Sequence, residues 1–175
     1  VVFAEDDHIG GFVAEFDEAE NATFFMFEAE YEEVLVEDGV ATTRDGSITI
    51  ENLGVDDGIS VVTGPPPGSS GGYEYVGETL KIDSEATGTP ADPLILTLRI
   101  DGGSVPAGLD LEDIVVFRNT IEVSNCVLPL DSPGDFPCVS ERIRHEPSGD
   151  IELTIQTLSF STWTMAFRSV AIAEF

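Results

Sequence analysis

Apolar and polar residues alternate with a period of two along much of this chain, the spacing of a half-buried β-strand. In Leu94-Ile95-Leu96-Thr97-Leu98-Arg99-Ile100, the residues Leu94, Leu96, Leu98 and Ile100 share one face. Ile151, Leu153 and Ile155 alternate with Glu152, Thr154 and Gln156, and Trp163, Met165 and Phe167 with Thr162, Thr164 and Ala166. Shorter strands are predicted at Ser47–Glu51, Ile59–Thr63, Tyr73–Val76, Thr79–Asp83, Ile114–Arg118 and Thr120–Val123, with a last one at Ser169–Ala173. Turn signals separate them: Glu37-Asp38-Gly39, Arg44-Asp45-Gly46, Asp56-Asp57-Gly58, Asp101-Gly102-Gly103 and Pro147-Ser148-Gly149-Asp150.

One stretch fits two periods. Between Thr23 and Val36, alternation puts Phe25, Phe27, Ala29 and Tyr31 opposite Glu28, Glu30 and Glu32, whereas a helical stripe would run through Phe24, Phe27, Tyr31 and Leu35. Composition favours helix, but helical signals are weak elsewhere, so strand is the preferred reading. A short helical turn is expected near Leu109–Asp113, capped by Asp110. Together these features predict an all-β fold, an antiparallel β-sandwich of immunoglobulin-like or jelly-roll-like type. The Pro/Gly/Ser-rich stretch at 64–72 reads as a long loop within a single domain spanning 1–175. The alternative is a linker between two small β units, 1–63 and 73–175.

Composition narrows the possible partners. The 175 residues include 34 Asp or Glu against 7 Lys or Arg, a formal charge of −27. Residues 1–62 carry a balance of −16 and the remainder −11. With 42% hydrophobic residues the chain has the apolar surface a disordered acidic tail lacks. Nucleic-acid binding is disfavoured, because phosphate backbones are held by Lys and Arg. No apolar run approaches the roughly 20 residues that span a bilayer, so membrane insertion is not expected. So large a charge on one domain calls for neutralisation by salt, divalent cations or low pH. The chain begins at Val1 rather than Met and so reads as a mature form or a fragment.

Cys126 and Cys138 flank an insert with three prolines and one glycine. A pair closing so short a loop is predicted to form a disulfide, worth about 2–3 kcal/mol from loop closure, and a disulfide implies an oxidising, extracellular location. The spacing does not match zinc or thioredoxin-type motifs.

Catalytic patterns are weak. Gly68-Ser69-Ser70-Gly71-Gly72 satisfies G-x-S-x-G, but a nucleophile elbow needs a strand before the serine and a helix after it. Three prolines precede this one. His8 and His145 have no positioned nucleophile and read as surface residues. Carboxylate pairs at glycosidase spacing arise by chance among 34 acids, and the chain is not expected to be an enzyme. Calcium is the cofactor best suited to so many carboxylates. Its candidate ligands are Asp56 and Asp57, the group Asp110, Glu112 and Asp113, and Glu5-Asp6-Asp7, although none forms the D-x-[DN]-x-[DN]-G loop. Trp163 is expected in the core rather than on a sugar platform. Asn21-Ala22-Thr23 is a glycosylation sequon. Val1, Val2, Phe3 and Ala4 form an apolar terminus that could complete a neighbouring subunit's sheet, or pair within its own.

From Pro93 to Phe167 the chain resembles the C-terminal β-sandwich module of secreted multidomain bacterial surface proteins. The residues that carry the resemblance are Pro93–Asp101, Val105-Pro106-Ala107-Gly108, Val115–Asn119, the two cysteines with Cys138-Val139-Ser140, Gly149–Thr154 and Phe160-Ser161-Thr162-Trp163. The resemblance implies an extracellular location and a structural or attachment role, without a catalytic site. The expected function is therefore that of an extracellular structural protein. It would be a repeating subunit of a cell-surface filament or layer, self-associating into a polymer by β-strand complementation. The alternative is a non-catalytic carbohydrate- or calcium-binding adhesion module of a larger secreted protein.

Overall fold

The alternating segments are strands in the computed structural model, which describes residues 3–5, 8–16, 22–54, 58–69 and 71–168, with side chains described from residue 32 onward. The strands are β1 (Phe3–Glu5), β2 (His8–Phe16), β3 (Ala22–Glu32), β4 (Val34–Glu37), β5 (Val40–Thr43), β6 (Ile48–Glu51), β7 (Ile59–Gly64), β8 (Tyr73–Ser84), β9 (Leu94–Ile100), β10 (Ile114–Arg118), β11 (Ile121–Glu122), β12 (Cys138–Arg144), β13 (Ile151–Thr157) and β14 (Thr162–Arg168). Short 3-10 turns occupy Gly102–Ser104, Leu111–Asp113 and Pro133–Asp135, and the described residues contain no α-helix.

The strands make two antiparallel sheets. One has the order β1-β2-β3-β7-β8-β14-β10-β11, the other β12-β13-β9-β6-β5-β4. The facing sides supply the core. Leu94, Leu96, Leu98 and Ile100 of β9, Ile151, Leu153 and Ile155 of β13, and Trp163, Met165 and Phe167 of β14 are all buried in one cluster. Ala41, Ile48, Ile50 and Val61 join that cluster, so residues on both sides of the 64–72 stretch share it. The predicted all-β sandwich is present. So is its disulfide, with Cys126 and Cys138 joined.

Sheet burial is not wholly one-sided. Thr164 and Ala166, on the other face of β14, are also buried. Ala166 packs with Val115 and Phe117 of β10, and Tyr73 and Tyr75 of β8 cover them from the side. Tyr73 meets Phe117 edge-on, with ring centroids 5.0 Å apart, a favoured geometry for aromatic quadrupoles. Thus β10 loses its alternation because both of its faces are covered.

The chain passes between the two sheets on both sides of the sandwich, by a single residue on one and by residues 123–137 on the other. At one edge β3 belongs to the first sheet and β4 to the second, with only Glu33 between them. Glu33 is fixed there by the Arg44 backbone N–H, which donates to its carbonyl, and by an ion pair with the Arg44 guanidinium at 3.2 Å. At the other edge the chain leaves β11, bridges to Val139 at Asn125 and is bonded to β12 through the disulfide.

Local chemistry explains the tight turns. Asp38 and Gly39 both have positive φ, 51° and 77°, as the β4–β5 two-residue hairpin requires. A side chain at Gly39 would also place Cβ 2.8 Å from the Leu53 carbonyl oxygen. At the next turn Asp45 accepts from the Ser47 backbone N–H and from the Thr43 and Ser47 hydroxyls.

Several boundaries differ from the sequence expectation. Tyr73–Val76 and Thr79–Asp83 are one strand, β8. Its register against β14 slips between Trp163 and Met165, and Gly77 supplies the positive φ at that irregularity. The strand expected at Thr120–Val123 is reduced to the two residues of β11. The ambiguous Thr23–Val36 stretch is extended, divided between β3 and β4. The expected helical turn is the 3-10 turn at Leu111–Asp113; Asp110 stands at its N-cap, but its side chain makes no capping bond. The strand expected at Ser169–Ala173 lies outside the described residues.

Candidate functional site

The two edges of the eight-stranded sheet carry the features that the fold does not use internally. At the first edge, β2 and β3 form a long hairpin in register from His8↔Glu30 to Phe16↔Ala22. Only Glu30, Tyr31 and Glu32 of β3 pair onward with β7. Residues 22–29 of β3 therefore pair with β2 on one side and with no strand on the other, among the described residues. Eight residues of strand span about 27 Å at the usual rise per residue, and this part of the hairpin, the arm, extends past the pairing with β7. Its sequence is apolar on both alternating sets: Phe24 and Met26 fall on one face of β3, Phe25 and Phe27 on the other. Beside the arm, β4 is the edge of the second sheet, and its Leu35 and Val36 are exposed.

At the opposite edge, β11 is the terminal strand, paired only with β10. A groove of about 470 Å³ runs between β11 and the disulfide-closed loop, lined among others by Arg118, Ile121, Val123, Asn125, Val127 and Asp135. Two large apolar side chains of this lining stand out, Ile121 at 73% exposed and Val127 at 78%, and Leu128, next in the chain, is 81% exposed. Loop closure accounts for the last two. Tying Cys126 to Cys138 turns Val127 and Leu128 away from the core, which Val139 and Val123 reach instead.

The electrostatics of this edge are unusual for so acidic a chain. Arg118, Arg142, Arg144 and Arg168 gather around β10, β11 and β12. Arg118 bonds the Ser159 and Ser161 hydroxyls and lies over the Trp163 ring. Arg142 bonds the Ile114 carbonyl and the Asn125 amide oxygen, and Arg144 the Leu109 carbonyl. These directly bonded partners are neutral, and Glu112 and Glu122 act on Arg142 without bonding it. Arg168 pairs with Glu122. The Tyr73 hydroxyl also donates to Glu122, at 2.7 Å, and the two bonds hold that carboxyl below its ordinary range. Asp135 is likewise occupied, accepting from the Ser132 backbone N–H in a capping box.

The remaining sequence candidates fall as follows. Asp110 and Glu112 are exposed at the 3-10 turn, and Asp113 is half-buried there. No group of three or more His, Cys, Asp or Glu among the described residues is arranged to hold a metal ion. Asp56, Asp57 and Asn21 lie outside the described residues, as do Val1 and Val2. Phe3 and Ala4 are in β1, paired with Gly10 and Ile9 of the same chain. Gly68 and Ser69 are exposed loop residues, Ser70 lies outside the described residues, and the following element is strand β8 rather than a helix. His145 is half-exposed, with Nε2 3.2 Å from a Glu152 carboxyl oxygen. Trp163 is fully buried, as expected.

Sequence reading missed the exposed apolar group at Ile121, Val127 and Leu128. Alternation places residues on faces of a strand, but says nothing of which sheet edge is left bare. No helix among the described residues is long and apolar enough to cross a membrane. Comparison with protein-family models, with curated proteins and with solved structures finds no match for this chain.

Proposed function

We propose that the protein is an extracellular structural subunit that assembles with copies of itself into a surface filament or layer, through β-strand edges. The observation that carries this reading is the arm. Residues 22–29 expose one edge of backbone N–H and C=O groups and carry apolar positions on both faces. Open edges invite pairing with another chain, and burial of apolar surface would drive it at about 25 cal/mol per Å². The disulfide supports an oxidising location. The excess of carboxylates supports a setting in which salt or divalent cations screen repulsion between subunits.

Size-exclusion chromatography with electron microscopy tests the reading on the purified chain, with and without calcium and at high salt. Regular filaments or sheets are expected. A monodisperse monomer at high concentration in every condition overturns it.

A further inference from the structure

We propose that assembly is head-to-tail: the β2–β3 arm of one copy seats in the groove beside β11 of the next. This rests on the reading of the protein as a self-assembling subunit and names the two surfaces that meet. Three observations point to the arm of a second copy as the occupant.

The first is placement. Exposed large apolar residues among those with described side chains are Leu35, Val36, Ile121, Val127 and Leu128. Leu35 and Val36 lie beside the arm at one edge of the sandwich; Ile121 and Val127 line the groove at the opposite edge, and Leu128 follows Val127 in the chain. A contact between two different, opposite surfaces leaves one of each free on every pair, so growth continues as an open fibre.

The second is charge. Residues 1–32 contain ten Asp or Glu and no Lys or Arg. Arg118 lines the groove and Arg142 bonds its Asn125, both on neutral oxygens, while the groove's own Glu122 is paired with Arg168 and its Asp135 accepts from the Ser132 backbone N–H. With Arg118, Arg142 and Arg168 beside Glu122 and Asp135, this edge is less negative than the rest of the surface, so an acidic strand meets least repulsion here. Two arms, both acidic, would repel one another.

The third is backbone geometry. The arm lacks a neighbour along residues 22–29, and β11 lacks one on its outer side, among the described residues. In this contact β3 would lie along the groove beside Ile121 and Val127.

Two full-length variants test this. Ile121→Asp with Val127→Asp spoils the groove at exposed positions outside the core. Phe25→Asp with Phe27→Asp spoils the arm. By light scattering after size exclusion, each variant alone is expected to lose every species larger than the monomer. An equimolar mixture should give a species of twice the monomer mass and nothing larger, since one intact arm then meets one intact groove. The groove variant, which keeps its arm, should also shorten wild-type polymers when added in small amounts, a readout that holds even if the arm variant does not fold. A groove variant that polymerises like the wild type overturns the assignment and leaves the assembling role standing. Discrete dimers of the groove variant mean arm-to-arm pairing, and overturn it too. A wild-type chain that never associates removes both readings.

Discussion

Asp150, in the turn between β12 and β13, accepts from the Gly102 backbone N–H at 2.8 Å and from the Arg99 guanidinium. The Gly102 bond first, and then Arg99, hold its carboxyl below the ordinary aspartate range. A carboxyl whose folded value is depressed adds stability above its unfolded value, and that stability is lost as pH falls through the folded one. Asp150→Asn is therefore expected to melt at a lower temperature than the wild type at pH 7. The gap should close as the pH is taken below the ordinary carboxylate range, which paired thermal melts would show; a gap independent of pH would count against it. The sequence displayed Asp150 as the end of a turn, Pro147-Ser148-Gly149-Asp150. It did not display Gly102 or Arg99 as partners, because those contacts join residues about 50 positions apart and exist only once two loops are folded together.

The disulfide is the element whose worth is easiest to isolate. It closes 12 positions of chain, and loop-closure entropy for a loop of this size comes to about 3 kcal/mol. A Cys126→Ser, Cys138→Ser double variant should lose about that much stability in denaturant unfolding, with the slope against denaturant rising slightly as the unfolded chain expands. A loss well below 1 kcal/mol would mean that β12 and the Asn125 bridge hold the loop without it. Among the strands, β9, β13 and β14 were legible because each buries one alternating face against the opposite sheet. The strand β12 was not, because Cys138-Val139-Ser140-Glu141-Arg142-Ile143-Arg144 is an edge strand whose pairing with β13 slips between Val139 and Glu141. That slip destroys the alternation by which a sequence announces a strand. The glycines Gly10 and Gly11 similarly masked β2, and Gly77 divided β8 into two apparent strands.

At the scale of the whole molecule, charge opposes folding. A net −27 on 175 residues repels itself across distances comparable with the roughly 10 Å Debye length of 0.1 M salt. Melting temperature is expected to rise by several degrees with added sodium chloride, and with calcium at lower concentration. Calorimetry across a salt series checks this, and a flat response would remove self-repulsion as a factor. This much was readable from composition alone. The candidate assembly surfaces were readable only in part. The apolar run Phe24-Phe25-Met26-Phe27 was visible in the sequence, but that β7 pairs only with Glu30–Glu32, among the described residues, is a fact of register. The bareness of Val127 and Leu128 follows from how the disulfide folds back its loop.

The single residue Glu33 between β3 and β4 sets how the fold would respond to mechanical load. Tension applied to the arm would travel along one continuous stretch of backbone into both layers at once. It would meet the three-residue pairing of β3 with β7 and the four-residue pairing of β4 with β5 together. At the far side the Cys126–Cys138 link shortens the path by which the same force leaves, and the loop between them cannot spool out. A subunit wired this way would transmit strain through its middle without first lengthening at its ends.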